Sequence, residues 1–523
     1  MMSKPRLRVA IAVRDRRLPR WQAALVNEAV RIAGVEVTVI RLLCDPTQQA
    51  QAPASLRSLD RADYLVTRRL TSVANPLDDA FVELPIQTAN FRKAYYDVVV
   101  ELGGMLRQAR SLMPHRGVWS CAFGNDLRQY DDYPCFEEVL TGEEVTTATL
   151  LERTDAGNGA GVLGEAHVAV DRHSIFVTRA QALWAAPQLV AAALRQLTAG
   201  HLAAARPLPG GGRDKARPRA AVGGDVAFNF GKAALSHAWR SLMKRDQWRV
   251  HYRPGPAADY KDPDLSAFQT LPMPDRGFFA DPFVVAREGR TFIFGEEYPW
   301  KTRRGVISCI ELVAGKALGP PVRVLERPYH LSYPFLIEEE GALYMIPETA
   351  ANETVELYRC TRFPDEWRLE ATLLRGVKAV DTTIARIDGR LWMFTAIKRP
   401  ETRNFDELHL YSADRLAGPW RPHPGNPLRF DARDARPAGA VFRDGEDWIR
   451  PAQDATLRYG RRVHFQRITA LTADAYREEP VGLLDPAALA GTEGIHTWNS
   501  ACGVTVIDSV RQIVKFGSGR DKC

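Results

Sequence analysis

Glycine-centred turns recur about every fifty residues in the second half of this 523-residue chain, and they restrict its fold more than any other feature. The intervals are 52, 48 and 56 residues, measured between Gly289, Gly341, Gly389 and Gly445. Each turn lies between strand-like runs, and a further strand pattern follows. Antiparallel units of this length, repeated around an axis, form a β-propeller. We predict an all-β propeller over residues 247–518 with five blades, although four or six would also fit the spacing.

Closure of the ring requires a last unit, and both ends of the region can supply its strands. Residues 495–507 and 512–516 have strand patterns near the C-terminus, and residues 248–252 form a lone strand before the first repeat. Joining both ends in one blade removes an exposed sheet edge. We therefore expect the closing blade to contain strands from both ends.

The first half of the chain has a different pattern. Strand-like runs such as 7–13 and 35–42 alternate with amphipathic segments such as 21–33. Such alternation predicts an α/β domain with a Rossmann-like parallel sheet, which we assign to residues 1–205. The turn at residues 14–20 lacks the glycines that a dinucleotide pyrophosphate requires, so we expect no dinucleotide cofactor there.

Two short segments separate these regions. Residues 206–225 are rich in Gly, Pro and Arg and cannot bury a core, which predicts a flexible linker. Residues 226–246 have a helical apolar face. We expect this amphipathic helix to pack on the propeller, with peripheral membrane contact as the alternative.

Composition excludes several classes of protein. A net charge of +7 over 523 residues is too small for a nucleic-acid-binding surface, so we expect no nucleic-acid partner. The seven cysteines are scattered, and no His, Asp, Glu or Cys cluster has ligand spacing, so we predict neither a metal nor a cofactor. The N-terminus has no secretory pattern, and polar residues interrupt the longest apolar stretch, 183–205. We expect a cytoplasmic protein.

Polar residues open the first strand of each repeat. In a propeller the innermost strands line the central channel, so these side chains should converge there with acidic residues that end the second strands. The set is Asp281, Ser332, Asp381, Arg436, Glu348 and Asp454. Paired carboxyl groups of different pKa are what glycosyl chemistry needs. We predict Asp281 as base or nucleophile, Glu348 as acid and Asp381 as the charge that tunes them.

Further residues could bind the substrate. Arg436 and Arg450 could hold a phosphate or carboxylate in bidentate fashion. The other predicted binding residues are His330, Ser332, Tyr333, Asp454, His496 and Trp498. A structural interpretation exists for each feature: an Asp before Pro can cap a turn, Glu348 can pair with Arg359, and aromatic side chains also fill sheet cores.

The propeller region resembles a known family through several stretches. They are FFADPF (278–283), HLSYPFLIEEEGALYMIPET (330–349), VDTTIARIDGRLWMF (380–394) and RPAQD (450–454). These resemble the N-terminal β-propeller region of the glucosamine inositolphosphorylceramide transferase family. The resemblance implies a five-bladed propeller similar to glycosidases of the arabinanase and fructosidase type. It implies no activity, because the family's transfer chemistry is assigned to a separate domain.

The first half resembles the formyltransferase fold, most clearly in YPCFEEVLTGEEVTTATLLERTDAGNGAGVLGE (133–165). The family's catalytic His position falls at Ala122 or Phe123, its acidic position falls at Gly159, and its Asn has no counterpart here. The resemblance thus implies the fold without its chemistry. Nearby polar residues could serve an altered activity, namely Asn125, Asp126 and Asp155.

These observations favour a carbohydrate-active protein of surface-glycan or glycoconjugate biosynthesis. Its propeller would bind a sugar or glycoconjugate, nucleotide-linked or lipid-linked, and transfer or hydrolyse a glycosyl group. One alternative is a non-catalytic glycan-binding or scaffold protein. Another is an amino-sugar formyltransferase, which would bind a folate.

Overall fold

A computed structural model describes most of the chain. The described residues are 6–15, 17–42, 63–64, 74–80, 87–88, 95–102, 104, 106–112, 114–125, 134–153, 160–208, 239, 242–274, 276–399, 401, 407–489 and 491–515. The chain divides into two compact units, Met1–Ala233 with Pro400–Arg403, and Ala234–Arg399 with Asn404–Cys523.

The N-terminal unit is built on a mixed sheet. Its strands in the described residues are β1 (Leu7–Val13), β2 (Leu18–Pro19), β3 (Val35–Arg41), β4 (Asp79–Ala80), β5 (Gln87–Thr88), β6 (Val98–Glu101), β7 (Val118–Phe123), β8 (Val145–Arg153), β9 (Ala160–Ala169) and β10 (Arg206–Pro207). Eight of them form one sheet in the order β10-β9-β8-β7-β6-β1-β3-β5, and β2 pairs with β4. The strands from β7 to β5 are parallel, as predicted, whereas β8, β9 and β10 are antiparallel.

Four helices accompany this sheet in the described residues: α1 (Arg20–Val30), α2 (Leu106–Arg110), α3 (Phe136–Thr141) and α4 (Ile175–Ala199). The longest, α4, begins where the Ser174 hydroxyl accepts a hydrogen bond from the Val177 backbone N–H, and it ends at Gly200 with φ of 80°. Within the described part of the chain, no helix combines the length and apolar character needed to cross a bilayer.

The second unit is a five-bladed β-propeller. Its strands are β11 (Lys244–Pro254), β12 (Gln269–Thr270), β13 (Gly277–Arg287), β14 (Arg290–Pro299), β15 (Val306–Val313), β16 (Lys316–Leu325), β17 (Ser332–Glu339), β18 (Ala342–Thr349), β19 (Thr354–Arg362), β20 (Glu366–Arg375), β21 (Ala379–Ile387), β22 (Arg390–Ile397), β23 (Glu407–Ala413), β24 (Arg421–Pro422), β25 (Arg429–Phe430), β26 (Arg436–Pro437), β27 (Phe442–Asp444), β28 (Asp447–Asp454), β29 (Arg462–Leu471), β30 (Tyr476–Leu484), β31 (Trp498–Ala501) and β32 (Val504–Val514).

The blades follow the predicted repeats. The first blade is β13–β16, the second β17–β20, the third β21–β25 and the fourth β26–β30. The closing blade has the order β12-β11-β32-β31. The innermost strands contact one another in sequence around the axis, and the Trp498 backbone N–H donates to the Ala438 oxygen (2.8 Å) between the closing and fourth blades.

Closure occurs as predicted, through strands from both ends of the propeller. Strand β11 pairs with β32 along its whole length, from Lys244 opposite Val514 to Pro254 opposite Val504. Residues 244–246, which the sequence assigned to the end of an amphipathic helix, belong instead to β11, because pairing with β32 satisfies their backbone groups. Residues 226–238 of that segment and linker residues 209–225 lie outside the described residues, while Arg206 and Pro207 form β10.

The closing blade allows a test with a matched control on one strand. The Val506 side chain is fully buried, and Val514 near the end of β32 is 58% exposed. We expect Val506→Ala to lower the free energy of unfolding of the propeller by roughly 2 kcal/mol, because it removes fully buried apolar surface. Val514→Ala should change it by less than about 0.5 kcal/mol. Denaturant unfolding of both variants measures this, and equal effects would contradict the role of β32 as the closing strand.

Candidate functional site

The site is organised by bulges in the innermost strands. The pairing register shifts between Ala280 and Phe283, between Ser332 and Phe335, and between Val380 and Thr383. Each bulge contains a non-glycine residue in the left-handed region: Asp281 (φ 52°), Tyr333 (φ 43°) and Asp381 (φ 51°). A bulge redirects a side chain that regular pleating would place elsewhere. Three blades therefore present equivalent, redirected side chains to the hub.

One end of the hub network is a chain of buried ionisable groups formed by Asp281, His496 and Asp508. The Asp281 Oδ1 lies 3.0 Å from His496 Nε2, and His496 Nδ1 lies 2.7 Å from Asp508 Oδ1. Asp508 also accepts the backbone N–H of Asp281 (3.0 Å). All three side chains are almost fully buried. The first blade and the closing blade are thus joined by charge as well as by packing.

Electrostatics make the imidazole a cation. Burial alone would lower the pKa of His496, but Asp508 and Asp281 outweigh it and raise the pKa to about 10. Burial would likewise raise the pKa of Asp281, yet the charge of His496 and a hydrogen bond from it bring that pKa below the usual range. Asp281 is therefore an ionised carboxylate at neutral pH.

A second pair joins the third and fourth blades. The Arg436 Nε donates to Asp381 Oδ2, and its Nη2 donates to the Tyr459 hydroxyl (3.0 Å). The guanidinium carbon also lies 4.8 Å from the centroid of the Tyr459 ring. Burial raises the pKa of Asp381, and Arg436 opposes that shift. Asp381 and Arg436 thus compensate one another in a site that excludes water.

Two glutamates face the hub from second strands. Glu296 on β14 lies opposite Ala280, and Glu348 on β18 lies opposite Ser332, so both sit beside a bulge. Burial, followed by the charge of Asp381, raises the pKa of Glu348 to about 8. Burial, followed by the charge of Asp281, raises the pKa of Glu296 well above its usual value. Glu348 is therefore mostly protonated at neutral pH, and the pKa of Glu296 is shifted in the same direction.

Aromatic side chains surround this network. The Trp248 ring packs against the His496 imidazole with centroids 3.9 Å apart, and Tyr459 is 42% exposed. On the first blade Phe278 and Tyr298 stack with centroids 4.7 Å apart. Exposed aromatic faces next to carboxyl groups are suited to binding the C–H faces of sugar rings.

Comparison with known proteins identifies relatives of the propeller. Residues 267–510 match the family model "Glucosamine inositolphosphorylceramide transferase 1, N-terminal". A protein of that name from Oryza sativa subsp. japonica is 33% identical over 226 residues, which cover 42% of this chain and 30% of the relative. The Arabidopsis thaliana protein of the same name is 27% identical over 281 residues, covering 53% and 35%. The chain thus spans about a third of the length of these plant relatives.

Solved structures also match. The catalytic domain of a Coprinopsis cinerea α-L-arabinofuranosidase has a TM-score of 0.35 and 14% identity, covering 50% of this chain and 97% of that one. A family 117 glycoside hydrolase from Zobellia galactanivorans has a TM-score of 0.32 and 14% identity, covering 50% and 90%.

The structure brings most predicted hub residues together. Five of them lie close enough for their charges to shift the pKa values of their neighbours: Asp281, Glu348, Asp381, Arg436 and His496. His330 joins them through Glu296, whose Oε1 lies 3.4 Å from His330 Nε2. Ser332 is buried next to the bulge, one position before the redirected residue.

Four other predicted binding residues are bonded to, or packed against, side chains of the protein itself. Tyr333 is 1% exposed, and its hydroxyl lies 2.9 Å from Thr383 Oγ1. Trp498 packs in the apolar core against Phe465. Arg450 donates to Glu478 at 2.8 and 2.7 Å, and Asp454 accepts from Arg462 (2.6 Å) and Thr456. These groups are engaged by the protein itself.

Sequence reasoning missed Glu296, Asp508, Trp248 and Tyr459. A signal existed for Glu296, because it follows Gly289 by seven positions, as Glu348 follows Gly341. No comparable signal marks Asp508, which reaches the hub from β32.

One group could hold a metal ion by geometry. Sequence spacing predicted none, but the fold places ligand atoms of Asp281, His496 and Asp508 within 4.8 Å of one another. The raised pKa of His496, about 10, keeps both imidazole nitrogens protonated at neutral pH. In this state His496 neutralises the charge of the two carboxylates, and binding of a metal ion here would require the imidazole to release a proton.

The Asp381–Arg436 pair generates a prediction. We expect Arg436→Met to destabilise the propeller by roughly 3–5 kcal/mol, because it leaves a buried carboxylate without its cation. The double variant with Asp381→Asn should lose less, and the loss in the single variant should shrink as the pH falls and Asp381, whose pKa is raised by burial, becomes protonated. Denaturant unfolding tests this, with the exposed Arg477→Met of the same blade as control. Equal losses in the single and double variants would show that the pair is not coupled.

Proposed function

We propose that the hub binds a sugar and that this propeller transfers or hydrolyses a glycosyl group. The observation that carries the proposal is the coexistence of a protonated glutamate, Glu348, with an ionised aspartate, Asp281, at one hub. Environments that separate the pKa values of two carboxyl groups are typical of acid–base pairs in glycosyl chemistry.

Each carboxyl group has a role in this scheme. Glu348 donates its proton to the oxygen of the leaving group as the glycosidic bond breaks. Asp281 accepts the proton of the attacking hydroxyl group as the new bond forms, or attacks the anomeric carbon itself. Asp381 adds to the effect of burial in raising the pKa of Glu348, and Arg436 opposes the rise that burial causes in the pKa of Asp381.

Glu296 is a second proton donor by the same criterion. It occupies the position in the first blade that Glu348 occupies in the second. The His330 Nδ1 accepts the Gly305 backbone N–H (2.9 Å), which leaves the proton of a neutral imidazole on Nε2, facing Glu296. Burial lowers the pKa of His330 and so favours this neutral form. Comparing variants at both glutamates would identify the acid.

The relatives indicate the class of substrate. Their name joins glucosamine with inositolphosphorylceramide, a ceramide lipid that carries inositol through a phosphate. We propose a glycoconjugate of this chemical type, lipid-linked or nucleotide-linked, as the ligand of this propeller in surface-glycan or glycoconjugate biosynthesis. A cytoplasmic location and contact with a membrane surface belong to the same proposal.

The acid role of Glu348 predicts a pH profile. Because a general acid must be protonated, kcat on aryl glycosides or a sugar donor should fall as the pH rises through about 8, the pKa of Glu348. Glu348→Gln should lower kcat by about 100-fold or more and remove this basic limb, and Asp281→Asn should abolish turnover without unfolding the protein. Glu353→Gln, at an exposed position of the same blade, is the matched control. A Glu348→Gln enzyme with the same profile would exclude Glu348 as the acid.

A non-catalytic glycan-binding protein is the second candidate. The observation that favours it is that Asp281 and Asp381 are each held in an ion pair, by His496 and Arg436. A carboxylate already committed to a cation is a weaker base. Ligand binding without turnover in the wild-type protein would support this candidate.

For the N-terminal unit, we propose a formyltransferase-like fold that has lost formyl transfer. The parallel part of its sheet supports this proposal, as does the environment of Asn125, whose amide donates to Val145 O and accepts from Thr147 Oγ1. Asp126 and Asp155 lie outside the described residues.

This proposal makes a simple prediction. Because the catalytic positions are occupied by Ala122 or Phe123 and by Gly159, an assay of the full chain with a formylated folate and an amino sugar should show no formyl transfer. Measurable transfer would instead favour an amino-sugar formyltransferase.

A further inference from the structure

Four basic residues lie at or near Trp300, which follows the end of β14. The Arg245 guanidinium lies 4.4 Å from the centroid of the Trp300 ring, and the Trp300 backbone N–H donates to the Arg276 oxygen (3.0 Å). Lys301 and Arg303 follow in an exposed turn, in which the Arg303 backbone N–H donates to Pro299 O (3.0 Å). We call Arg245, Arg276, Lys301 and Arg303 the basic lip.

Tyr298 connects the basic lip to the hub. It lies two residues after Glu296 on β14, so both side chains are on the same face of the strand. Burial, followed by the charge of Glu296, raises the pKa of Tyr298, whereas the charge of Arg303 lowers it. The phenol group therefore lies within electrostatic range of both Glu296 and Arg303. At about 3.3 Å per residue, Pro299 lies roughly 10 Å along the strand from Glu296. One ligand can therefore reach both the hub and the lip.

The positive charge of the lip is not neutralised locally. The nearby carboxylates Glu297 and Glu326 pair with Arg323 (3.1 Å) and Arg304 (2.8 Å). Among the residues that the structure describes, no carboxylate lies within 4.0 Å of the side-chain nitrogens of Arg276, Lys301 or Arg303. Asp275, which directly precedes Arg276, lies outside those residues. The test below therefore changes Lys301 and Arg303 and leaves Arg276 in place.

We propose that the basic lip binds the phosphate ester of the ligand whose sugar enters the hub, an inference that rests on the proposed function. Arginine forks bind two phosphate oxygens at once, and lysine supplies a mobile charge. The two arginines that the sequence suggested for an anion, Arg436 and Arg450, are already paired with Asp381 and Glu478. Lys301 and Arg303, by contrast, are exposed, and Arg303 acts on the pKa of Tyr298.

Calorimetry with three probes tests the proposal on the full chain. The probes are glucosamine, glucosamine 1-phosphate and inorganic phosphate. We expect the ester to bind about tenfold or more tightly than glucosamine in the wild-type protein, because the phosphate adds charge-assisted hydrogen bonds. The double variant Lys301→Gln with Arg303→Gln should reduce this ratio towards one. Lys316→Gln, which removes one positive charge at an exposed position of the same blade, should leave the ratio unchanged.

The outcomes separate the lip from the hub. The lip proposal would be overturned if glucosamine binds and its phosphate ester binds no more tightly, or if the double variant leaves the ratio unchanged. Either result would leave the hub proposal intact. Phosphate binding that depends on Lys301 and Arg303, without any binding of glucosamine, would support the lip and contradict the sugar-binding hub. Lys301 and Arg303 are exposed, so we expect the variants to remain folded, and thermal melting checks this.

Two further arms identify the source of the phosphate. One measures UDP-glucosamine by calorimetry, and the other measures sedimentation of the protein with phosphatidylinositol in phosphatidylcholine vesicles, against phosphatidylcholine alone. Binding in either arm that the double variant weakens supports the lip and names its ligand as a nucleotide sugar or a lipid headgroup. The lip proposal fails if neither arm depends on Lys301 and Arg303.

Discussion

The pairing of β11 with β32 is the constraint on which the hub depends. It brings residues 244–254 against residues 504–514 and fixes the closing blade next to the first. Three hub residues belong to this blade or its approach: Trp248 on β11, His496 before β31, and Asp508 on β32. The cost of closing such a long loop grows only slowly with its length, so extensive β pairing can offset it. Without this closure, Asp281 would lose the cation that keeps it ionised.

The hub separates charged from neutral carboxyl groups. Burying several carboxyl groups together is costly, and proteins reduce the cost by pairing some with cations and protonating the others. Here His496 pairs with Asp281 and Asp508, and Arg436 pairs with Asp381. Among the residues that the structure describes, neither Glu348 nor Glu296 pairs with a lysine or arginine, and burial and neighbouring aspartates raise the pKa values of both. The pairing and protonation that reduce the cost of burying these carboxyl groups thus also provide groups that can donate a proton.

The sequence predicted the blades more accurately than the side chains at the hub. The spacing of turn glycines identifies the hairpins, because each hairpin must turn at a fixed place relative to its strands. It does not reveal a bulge, and a shift of one position exchanges the two faces of a strand. The polar set that opens the strands therefore included Ser332, whereas the residue in the bulge is Tyr333, which was predicted only as a binding residue. Asp508 reaches Asp281 across 227 positions, a distance in sequence over which no local pattern applies.

Strain distinguishes the hub from ordinary turns. Glu288, Glu340 and Asp388 also have positive φ, but each precedes a turn glycine, as two-residue hairpins of type I′ require. Asp281, Tyr333 and Asp381 lie inside strands, where no turn demands this conformation. Each such residue costs of order 1–3 kcal/mol and persists only where its surroundings hold it. At the hub those surroundings include the ion pairs themselves: Asp508 accepts the Asp281 backbone N–H, and Asp281 accepts that of Tyr333 (3.2 Å). The carboxylates that the bulges aim at the hub therefore also stabilise the bulges that aim them.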